Sequence, residues 1–487
     1  MFNKFFDYLT QFYEVFMFDY ATVLMFSYAL LVILSLLEIR IYLKRKSYID
    51  LRSLLTSPYA PGITVVAPAY NEGLTIINSV HSLLSLNYPK FEVVIINDGS
   101  TDHTLQKMID EFKLVAIDYA YNEQIITQPV KQIYRSENPA FFNLLVVDKV
   151  NGKSKADASN AGINVSSYPY FLCTDVDCII HKDTLLKLIK PFVEEKTKVI
   201  ATGAAIRISN SCEIKNGFLV KVKVPKKYLP LFQELEYIRA FLLGRMAWSK
   251  INALMLVSGG LGMFDKEIAI NAGGYDPKSF GEDMELITRM RIYMHNLKQK
   301  YLVKYIPESL CWTEVPSTLK VYGNQRTRWA RGLAQNLWVH KRIIFNPKYG
   351  IFGMLSFPYW IAFEWLAPII EATGVVYYIY MIITGQINWE YAIILLIYVY
   401  TFSVMITVFA VLWDEITHKQ YESKMEVFKL CVAAMLEPFF YHPLVVFYAI
   451  KGNFYSLTGK PMAWGNMQRA GFKKKFSKKK EIVKNED

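Results

Sequence analysis

Residues 63–102 read ITVVAPAYNEGLTIINSVHSLLSLNYPKFEVVIINDGSTD, and the order of elements in them indicates the class of fold. Residues 63–68 form an apolar, β-branched run that ends near a proline, as buried strands do. Residues 74–86 repeat apolar side chains at helical spacing and stop at NYP, and residues 91–96 form a second apolar strand. Buried strands that alternate with helices predict an α/β domain, in which helices cover both faces of a mostly parallel sheet.

Polar side chains follow both of these strands. Tyr70, Asn71 and Glu72 come directly after the first strand, and Asp98 begins the sequence DGSTD after the second. The carboxyl ends of parallel strands meet at one edge of a sheet, and ligands bind beyond that edge. We therefore expect these residues to line a binding site.

The next two elements add cationic and acidic side chains to the same edge. Residues 148–162, DKVNGKSKADASNAG, are typical of a loop that enters a helix, where lysines can contact a phosphate. A strand predicted at residues 168–177 ends in Asp175 and Asp177, whose hard oxygen ligands suit Mg²⁺ or Mn²⁺ bound to a diphosphate. An isolated Asp-x-Asp is as often a solvated turn, but the lysine-rich loop upstream favours a metal site.

The order of short motifs along the chain is more specific than any one of them. It runs YNE, NDGSTD, GKSKADASNAG, DVD, GED and QRTRW. This order resembles the family 2 glycosyltransferases, and in particular the membrane-embedded processive synthases of cellulose, chitin, hyaluronan and poly-N-acetylglucosamine. The resemblance covers roughly residues 63–332. It implies a GT-A-like, Rossmann-type domain that uses a UDP-sugar and a divalent cation, Mg²⁺ or Mn²⁺.

The resemblance also implies roles for individual residues. It assigns donor binding to Tyr70, Asn71, Glu72, Asp98, Lys153, Lys155, Asn160 and Asp175. It assigns metal binding to Asp175 and Asp177, catalysis to Asp283 and Glu282, and acceptor or diphosphate contacts to Gln325, Arg328 and Trp329.

The chemistry of sugar transfer is consistent with these roles. Displacement at an anomeric carbon needs a base for the acceptor hydroxyl, here Asp283, and positive charge for the departing diphosphate, here the metal, Arg328 and a lysine. One base without a second nucleophile predicts inversion. The alternative for Glu282 and Asp283 is a helix start, where acids complement the dipole. Trp329 could equally anchor an amphipathic helix in a membrane interface.

Three features depart from the family pattern. Asn97 precedes Asp98 where relatives more often carry a second aspartate, residues 121–143 look like an insertion, and one N-terminal membrane span is visible where many relatives have two. Residues 258–262, SGGLG, lack the lysine of a phosphate-binding P-loop, and the resemblance places them in the acceptor pocket.

The composition indicates that part of the apolar surface lies in lipid. Hydrophobic residues make up 53% of the 487 residues, which excludes a disordered chain. Mean hydropathy is +0.17, which is high for a soluble protein of this size. The net charge of +12 fits a nucleic acid, an anionic membrane or a phosphorylated substrate. The five cysteines contain no CxxC pair, so we expect reduced cysteines in apolar surroundings.

Four apolar segments are candidates for membrane helices. Residues 21–37 are followed by a basic flank, which places that flank in the cytoplasm. Residues 368–383 and 391–413 predict two further spans. Residues 428–450 are interrupted by acidic residues and prolines, and we favour a segment that re-enters or crosses twice, because the lysine-rich tail then returns to the cytoplasm.

These predictions divide the chain into four parts. They are residues 1–46 with one membrane helix, residues 47–349 as a cytoplasmic glycosyltransferase domain with an amphipathic interface helix, residues 350–452 as membrane and interfacial helices, and residues 453–487 as a basic cytoplasmic tail. The expected location is the cell membrane. The expected partners are a UDP-sugar, a polysaccharide acceptor, the bilayer and accessory export or synthesis proteins, without nucleic acid.

The sequence leaves three functions open. The first is an inverting, processive transferase that builds a β-linked polysaccharide and exports it. The second is a transferase that adds one sugar to a lipid phosphate, against which the QRTRW motif and the C-terminal apolar segments weigh. The third is a transporter or receptor with a nucleotide-sensing domain, which would leave Asp283 without a role.

Overall fold

The computed structural model describes residues 2–46 and 51–460, so the lysine-rich cluster of the predicted tail lies outside the described residues. The strands are β1 Ile63–Ala69, β2 Phe91–Asp98, β3 Leu114–Ile117, β4 Val130–Ser136, β5 Leu144–Lys149, β6 Tyr170–Thr174, β7 Ile179–Ile180, β8 Lys198–Ile208, β9 Glu213–Lys215, β10 Phe218–Lys221, β11 Leu261–Asp265 and β12 Tyr301–Thr313. The helices are α1 Phe2–Lys46, α2 Leu51–Thr56, α3 Ile76–Leu84, α4 Thr104–Phe112, α5 Lys155–Val165, α6 Thr184–Glu194, α7 Tyr228–Ile238, α8 Met246–Lys250, α9 Lys266–Asn271, α10 Glu282–Asn296, α11 Leu319–Val339, α12 Phe357–Trp360, α13 Ala367–Ile383, α14 Trp389–His418, α15 Lys424–Phe440 and α16 His442–Thr458.

Ten strands form one sheet with the order β3-β4-β5-β2-β1-β6-β11-β8-β12-β7. Seven of them run in the same direction, whereas β4, β7 and β11 run against them. The neighbours β5, β2, β1 and β6 are all parallel, so the loops after these four strands leave the sheet at one edge. The predicted α/β fold with a mostly parallel sheet is confirmed.

The central strands are buried because helices cover the sheet. Residues 93–96 of β2 and residues 65–67 of β1 have no exposed surface, as their unbroken apolar runs predict. Residues 121–143, which the sequence marks as an insertion, contain β4, and β4 pairs antiparallel with β5 and β3 at one end of the sheet. The insertion therefore widens the sheet.

Among the described residues, three helical stretches are long and apolar enough to cross a membrane. They are Thr10–Lys44, Phe352–Ile383 and Trp389–His418, and they contain the predicted spans at residues 21–37, 368–383 and 391–413. The helices α15 and α16 pass the same test together, with a bend of 48° between them, and count as a fourth if they form one broken span. The bend fits the predicted re-entrant or twice-crossing segment, which stays a prediction.

The helix α11 joins the sheet domain to the C-terminal helices through close glycine contacts. A Cβ atom on Gly332 would lie 2.8 Å from the backbone nitrogen of Gly281, directly before α10. On the other side, a Cβ atom on Gly452 of α16 would lie 2.7 Å from the carbonyl oxygen of Thr327. Real Cβ atoms do not approach other atoms this closely, so these positions need glycine. The α10 start and α16 are therefore both fixed against α11.

We predict that Gly332→Ala lowers the free energy of unfolding by about 1–3 kcal/mol, because the added methyl group forces α11 and α10 apart. The matched control is Gly244→Ala, since no heavy atom of the described residues lies within 4 Å of a Cβ atom there. The measurement is denaturant unfolding of the full chain in detergent. Equal effects of the two substitutions would contradict the packing described here.

Candidate functional site

The loops after β1 and β2 are tied together by Asn71. Its backbone N–H donates to Ser100 Oγ at 3.0 Å, and its Oδ1 accepts from the backbone N–H of Thr101 at 2.8 Å. Tyr70 is 43% exposed beside it. Glu72 Oε2 accepts from Thr75 Oγ1 at 3.0 Å, directly before α3. The structure thus brings together the two loops that the sequence predicts at the binding edge.

Asp98 is buried and held by two donors. Its Oδ1 accepts from Lys149 Nζ at 2.9 Å and from the backbone N–H of Gly152 at 2.9 Å. Lys149 has no exposed surface and also forms an ion pair with Asp157. A fully buried lysine requires such partners, because an unpaired charge is costly to bury. Lys149 is therefore the residue that orients Asp98, and it was not among the predicted site residues.

The start of α5 places Lys155 in the centre of the site. Ser154 caps this helix, since its Oγ accepts from the backbone N–H of Ala156 at 3.1 Å. Lys155 Nζ donates to the carbonyl oxygen of Gly259 at 2.7 Å and forms an ion pair with Asp175. Burial alone would lower the pKa of Lys155, but Asp175 and then other acidic groups raise it above its usual value.

The acidic pair lies at the first turn of α10, as the helix-start explanation predicts, and the catalytic explanation stays a prediction. Asp283 Oδ2 accepts from the backbone N–H of Gly259 at 2.9 Å, and Asp283 Oδ1 accepts from that of Met284 at 2.9 Å. Burial, followed by the charge of Asp283, raises the pKa of Glu282, while Arg328 and Lys155 act in the opposite direction. The backbone of Gly259 therefore contacts both Lys155 and Asp283.

The two aspartates of DVD lie just beyond β6, in a turn in which the backbone N–H of Cys178 donates to the carbonyl oxygen of Asp175 at 3.0 Å. One carboxylate oxygen of Asp175, one of Asp177 and the sulfur of Cys178 lie within 4.8 Å of one another. A Cβ atom on Gly260 would lie 3.7 Å from Asp175 Oδ2, so the glycine leaves space beside the carboxylate. The residues present fit a divalent cation.

The QRTRW motif lies in α11, and the charge of Arg328 acts to lower the pKa of Glu282. Trp329 is 37% exposed, and the guanidinium group of Arg326 lies 4.6 Å from the centre of its ring. Gln325 Oε1 is buried and has no hydrogen-bond partner within the described ranges. Arg326 itself binds both carboxylate oxygens of Glu236. The motif therefore contains a structural arginine beside the residues predicted to contact substrate.

One predicted donor-site residue, Asn160, makes other contacts. The Asn160 amide is buried, donates to the carbonyl oxygen of Tyr275 at 2.8 Å and accepts from the N–H of Tyr275 at 2.8 Å. Lys153 is exposed on a turn with a positive φ of 54°. Asn160 therefore supports the loop that leads to α10, which is a different contact from the predicted one.

Comparison with known proteins defines the class. Residues 61–332 match the family described as glycosyltransferase like family 2, and residues 278–481 match the family described as chitin synthase. The chain belongs to glycosyltransferase family 2, and the predicted resemblance is confirmed.

Among curated proteins, the chain is similar to poly-beta-1,6-N-acetyl-D-glucosamine synthases. It is 30% identical to that of Staphylococcus epidermidis over 281 residues, which are 57% of each chain. It is 31% identical to that of Staphylococcus aureus strain COL over 297 residues, which are 61% of this chain and 58% of the relative. The match thus spans less than two thirds of the length of these relatives.

Among solved structures, the chain is similar to a mannosyltransferase of Pyrobaculum calidifontis, solved with GDP-Man and Mn²⁺. The TM-score is 0.48 at 18% identity, covering 89% of this chain and 99% of that one. It is also similar to glucosyl-3-phosphoglycerate synthase of Mycobacterium tuberculosis, with a TM-score of 0.35 at 15% identity, covering 59% of this chain and 84% of that one.

We predict that Lys149→Met lowers the free energy of unfolding by about 3–5 kcal/mol, because it leaves Asp98 and Asp157 buried without their cation. Lys131→Met is the control, since Lys131 is 53% exposed and its Nζ lies 4.0 Å from Asp148, a pair worth about 1 kcal/mol or less. Denaturant unfolding in detergent measures both. A Lys149→Met variant as stable as the control would show that Lys149 does not hold Asp98 in place.

Proposed function

We propose that the protein is a membrane-bound inverting glycosyltransferase that transfers a sugar from a UDP-sugar to a growing β-linked polysaccharide. The observation that carries this proposal is the contact of Gly259 with both Lys155 and Asp283, with Asp175 paired to the same lysine. The cationic Lys155, the metal-binding candidate Asp175 and the candidate base Asp283 are therefore linked through Gly259 and Lys155, although they come from distant parts of the sequence.

Asp283 is the proposed general base. Its carboxylate is aimed by two backbone N–H groups, and its position in the first turn of α10 favours the negative charge that a base must carry. It would accept the proton of the acceptor hydroxyl group while that oxygen attacks the anomeric carbon. The neighbouring Glu282 is more deeply buried than Asp283. A single base without an enzyme nucleophile leads to inversion of the anomeric configuration.

Lys155 and Arg328 are the proposed cationic partners of the departing diphosphate. Lys155 contacts Gly259 and pairs with Asp175, and the charges of Arg328 and Lys155 both act to lower the pKa of Glu282. Asp175 and Asp177 would hold a divalent cation, Mg²⁺ or Mn²⁺, which supplies further positive charge for the leaving group. Fixed cations that face developing negative charge stabilise the transition state more than the ground state.

The uridine of the donor would lie against the loops after β1 and β2. Asp98 is held in place by Lys149, and Asn71 fixes the neighbouring loop. The exposed ring of Tyr70 offers a flat apolar surface for a base. The remaining predicted donor contacts, Glu72 and Lys153, lie at the same edge of the sheet.

The acceptor would approach from the side of α11, because this helix lies between the acidic pair and α16. The helices α15 and α16, which together could span a membrane, would then lie near the acceptor end of the site. This arrangement favours a polymer that passes outward through or along the C-terminal helices. The catalytic domain would face the cytoplasm, and accessory proteins could bind the membrane helices. Since similar curated proteins are poly-beta-1,6-N-acetyl-D-glucosamine synthases, UDP-N-acetylglucosamine is the first donor to test.

We predict that membranes containing the protein convert a radiolabelled UDP-sugar into polymer, and that Asp283→Asn lowers the rate by about 10²–10⁴-fold, because the base is lost. Calorimetric binding of UDP should be unchanged. Glu267→Gln, at an exposed acid of α9, is the control. A labelled lipid of one sugar would favour the single-addition function, and no product with any UDP-sugar would contradict a transferase.

We predict that Asp177→Ala removes both activity and the binding of Mn²⁺, since it deletes one of the two carboxylates beyond β6. Free Mn²⁺ is counted by electron paramagnetic resonance in the presence of the purified chain. Asp183→Ala, at a partly buried acid before α6, is the control. Unchanged Mn²⁺ binding in Asp177→Ala would place the cation elsewhere.

A further inference from the structure

A cysteine stands directly after the two aspartates of DVD, and its sulfur belongs to the same cluster. The backbone hydrogen bond from Cys178 to Asp175 closes a tight turn. This turn brings one oxygen of Asp175, one oxygen of Asp177 and the sulfur of Cys178 within 4.8 Å of one another. Cys178 is buried, with 6% of its surface exposed. Three possible ligand atoms thus come from four consecutive residues.

The spacing of these atoms suits one bound cation. Metal–oxygen distances to carboxylates are about 2.0–2.2 Å, and metal–sulfur distances to cysteine are about 2.3 Å. Ligand atoms on opposite sides of one ion are therefore separated by roughly 4.4 Å, and adjacent ligand atoms by less. The three possible ligand atoms lie within 4.8 Å of one another, so they would surround one ion after small side-chain shifts.

Gly260 leaves room for an ion next to both kinds of ligand. A Cβ atom on Gly260 would lie 3.7 Å from Asp175 Oδ2 and 3.7 Å from Cys178 Sγ, so both atoms border the space that a side chain would occupy. The glycine is fixed because Thr174 Oγ1 donates to its carbonyl oxygen at 2.9 Å. The carboxylate and the thiol therefore face a common space with a rigid wall.

We propose that Cys178 is a third protein ligand of this cation site, so that the site binds thiophilic divalent ions such as Zn²⁺ and Cd²⁺ through two oxygens and one sulfur. The inference rests on the proposed function, because the same aspartates would hold the cation of the transfer reaction. When the sulfur–metal bond forms, the thiol proton passes to water and no electron is transferred. The product is a metal thiolate.

The sulfur ligand changes which ions the site prefers. Mg²⁺ takes oxygen ligands, so it gains nothing from Cys178, whereas thiolates favour softer ions. A thiophilic ion that uses all three atoms would therefore compete with Mg²⁺ or Mn²⁺ for Asp175 and Asp177. The structure in this way predicts that Zn²⁺ or Cd²⁺ inhibits sugar transfer by occupying the same site.

The experiment titrates the purified full chain in detergent with Cd²⁺ and follows the ultraviolet charge-transfer absorbance of a cadmium–thiolate bond. We expect the absorbance in the wild-type chain, and we expect Cd²⁺ to displace bound Mn²⁺, because both ions need the same carboxylates. Cys178→Ser should lose the absorbance and bind Cd²⁺ about tenfold or more weakly. Cys431→Ser is the matched control and should retain it, since Cys431 lies in α15.

Electron paramagnetic resonance of Mn²⁺ shows whether Cys178→Ser is folded at the site, since Asp175 and Asp177 remain. The proposal is overturned if the charge-transfer absorbance persists in Cys178→Ser. It is also overturned if the absorbance disappears only in Cys311→Ser. Mn²⁺ that stays bound to the wild-type chain while the absorbance develops overturns it as well, and this measurement needs no variant. Failure of the proposed function can be distinguished from failure of this proposal. If only the proposed function fails, no sugar is transferred in the presence of Mn²⁺, while the Cd²⁺ result is unaffected.

Discussion

The site depends on the backbone of Gly259. Its carbonyl oxygen accepts a hydrogen bond from Lys155 and its N–H donates one to Asp283. The backbone of this one residue therefore connects α5 with α10. Lys155 in turn pairs with Asp175 beyond β6. These contacts join three elements that are far apart in sequence. A Cβ atom at this position would make ordinary van der Waals contacts, 3.4 Å from Lys155 Nζ and 3.5 Å from Asp283 Oδ2, so the link depends on the backbone of Gly259.

The balance of charge explains why the same place suits a cation and a diphosphate. Lys155 forms an ion pair with Asp175, and the charges of Arg328 and Lys155 also act on Glu282, which lies next to Asp283. Neighbouring carboxylates in a partly buried site repel one another, and the raised pKa of Glu282 reflects burial together with the charge of Asp283. A divalent cation would relieve that repulsion, and a phosphate could then be bound without an excess of negative charge.

Local sequence patterns predicted the parallel strands and the acidic ends of the loops, because those features depend on neighbouring residues. They did not reveal Lys149, since its burial depends on two aspartates from other elements. The unusual Asn97 has a similar explanation. It lies opposite Asp148 on β5, and its Nδ2 donates to Asp148 Oδ1 at 2.6 Å. A second aspartate at position 97 would face the carboxylate of Asp148, so asparagine removes the repulsion, but only the strand register shows this.

The helix α11 couples the acidic pair to the C-terminal helices by close packing. Gly332 touches the residue before α10, while Thr327 meets Gly452 of α16 on the other side. Arg326 adds a buried ion pair with Glu236 and a hydrogen bond to Tyr441 Oη at 2.9 Å. Closely packed interfaces do not deform continuously, so a displacement of α16 must shift α11 as a rigid element. In the proposed reaction, Arg328 would then move with the C-terminal helices, and the position of the acceptor would be set by the membrane part of the protein as much as by the sheet.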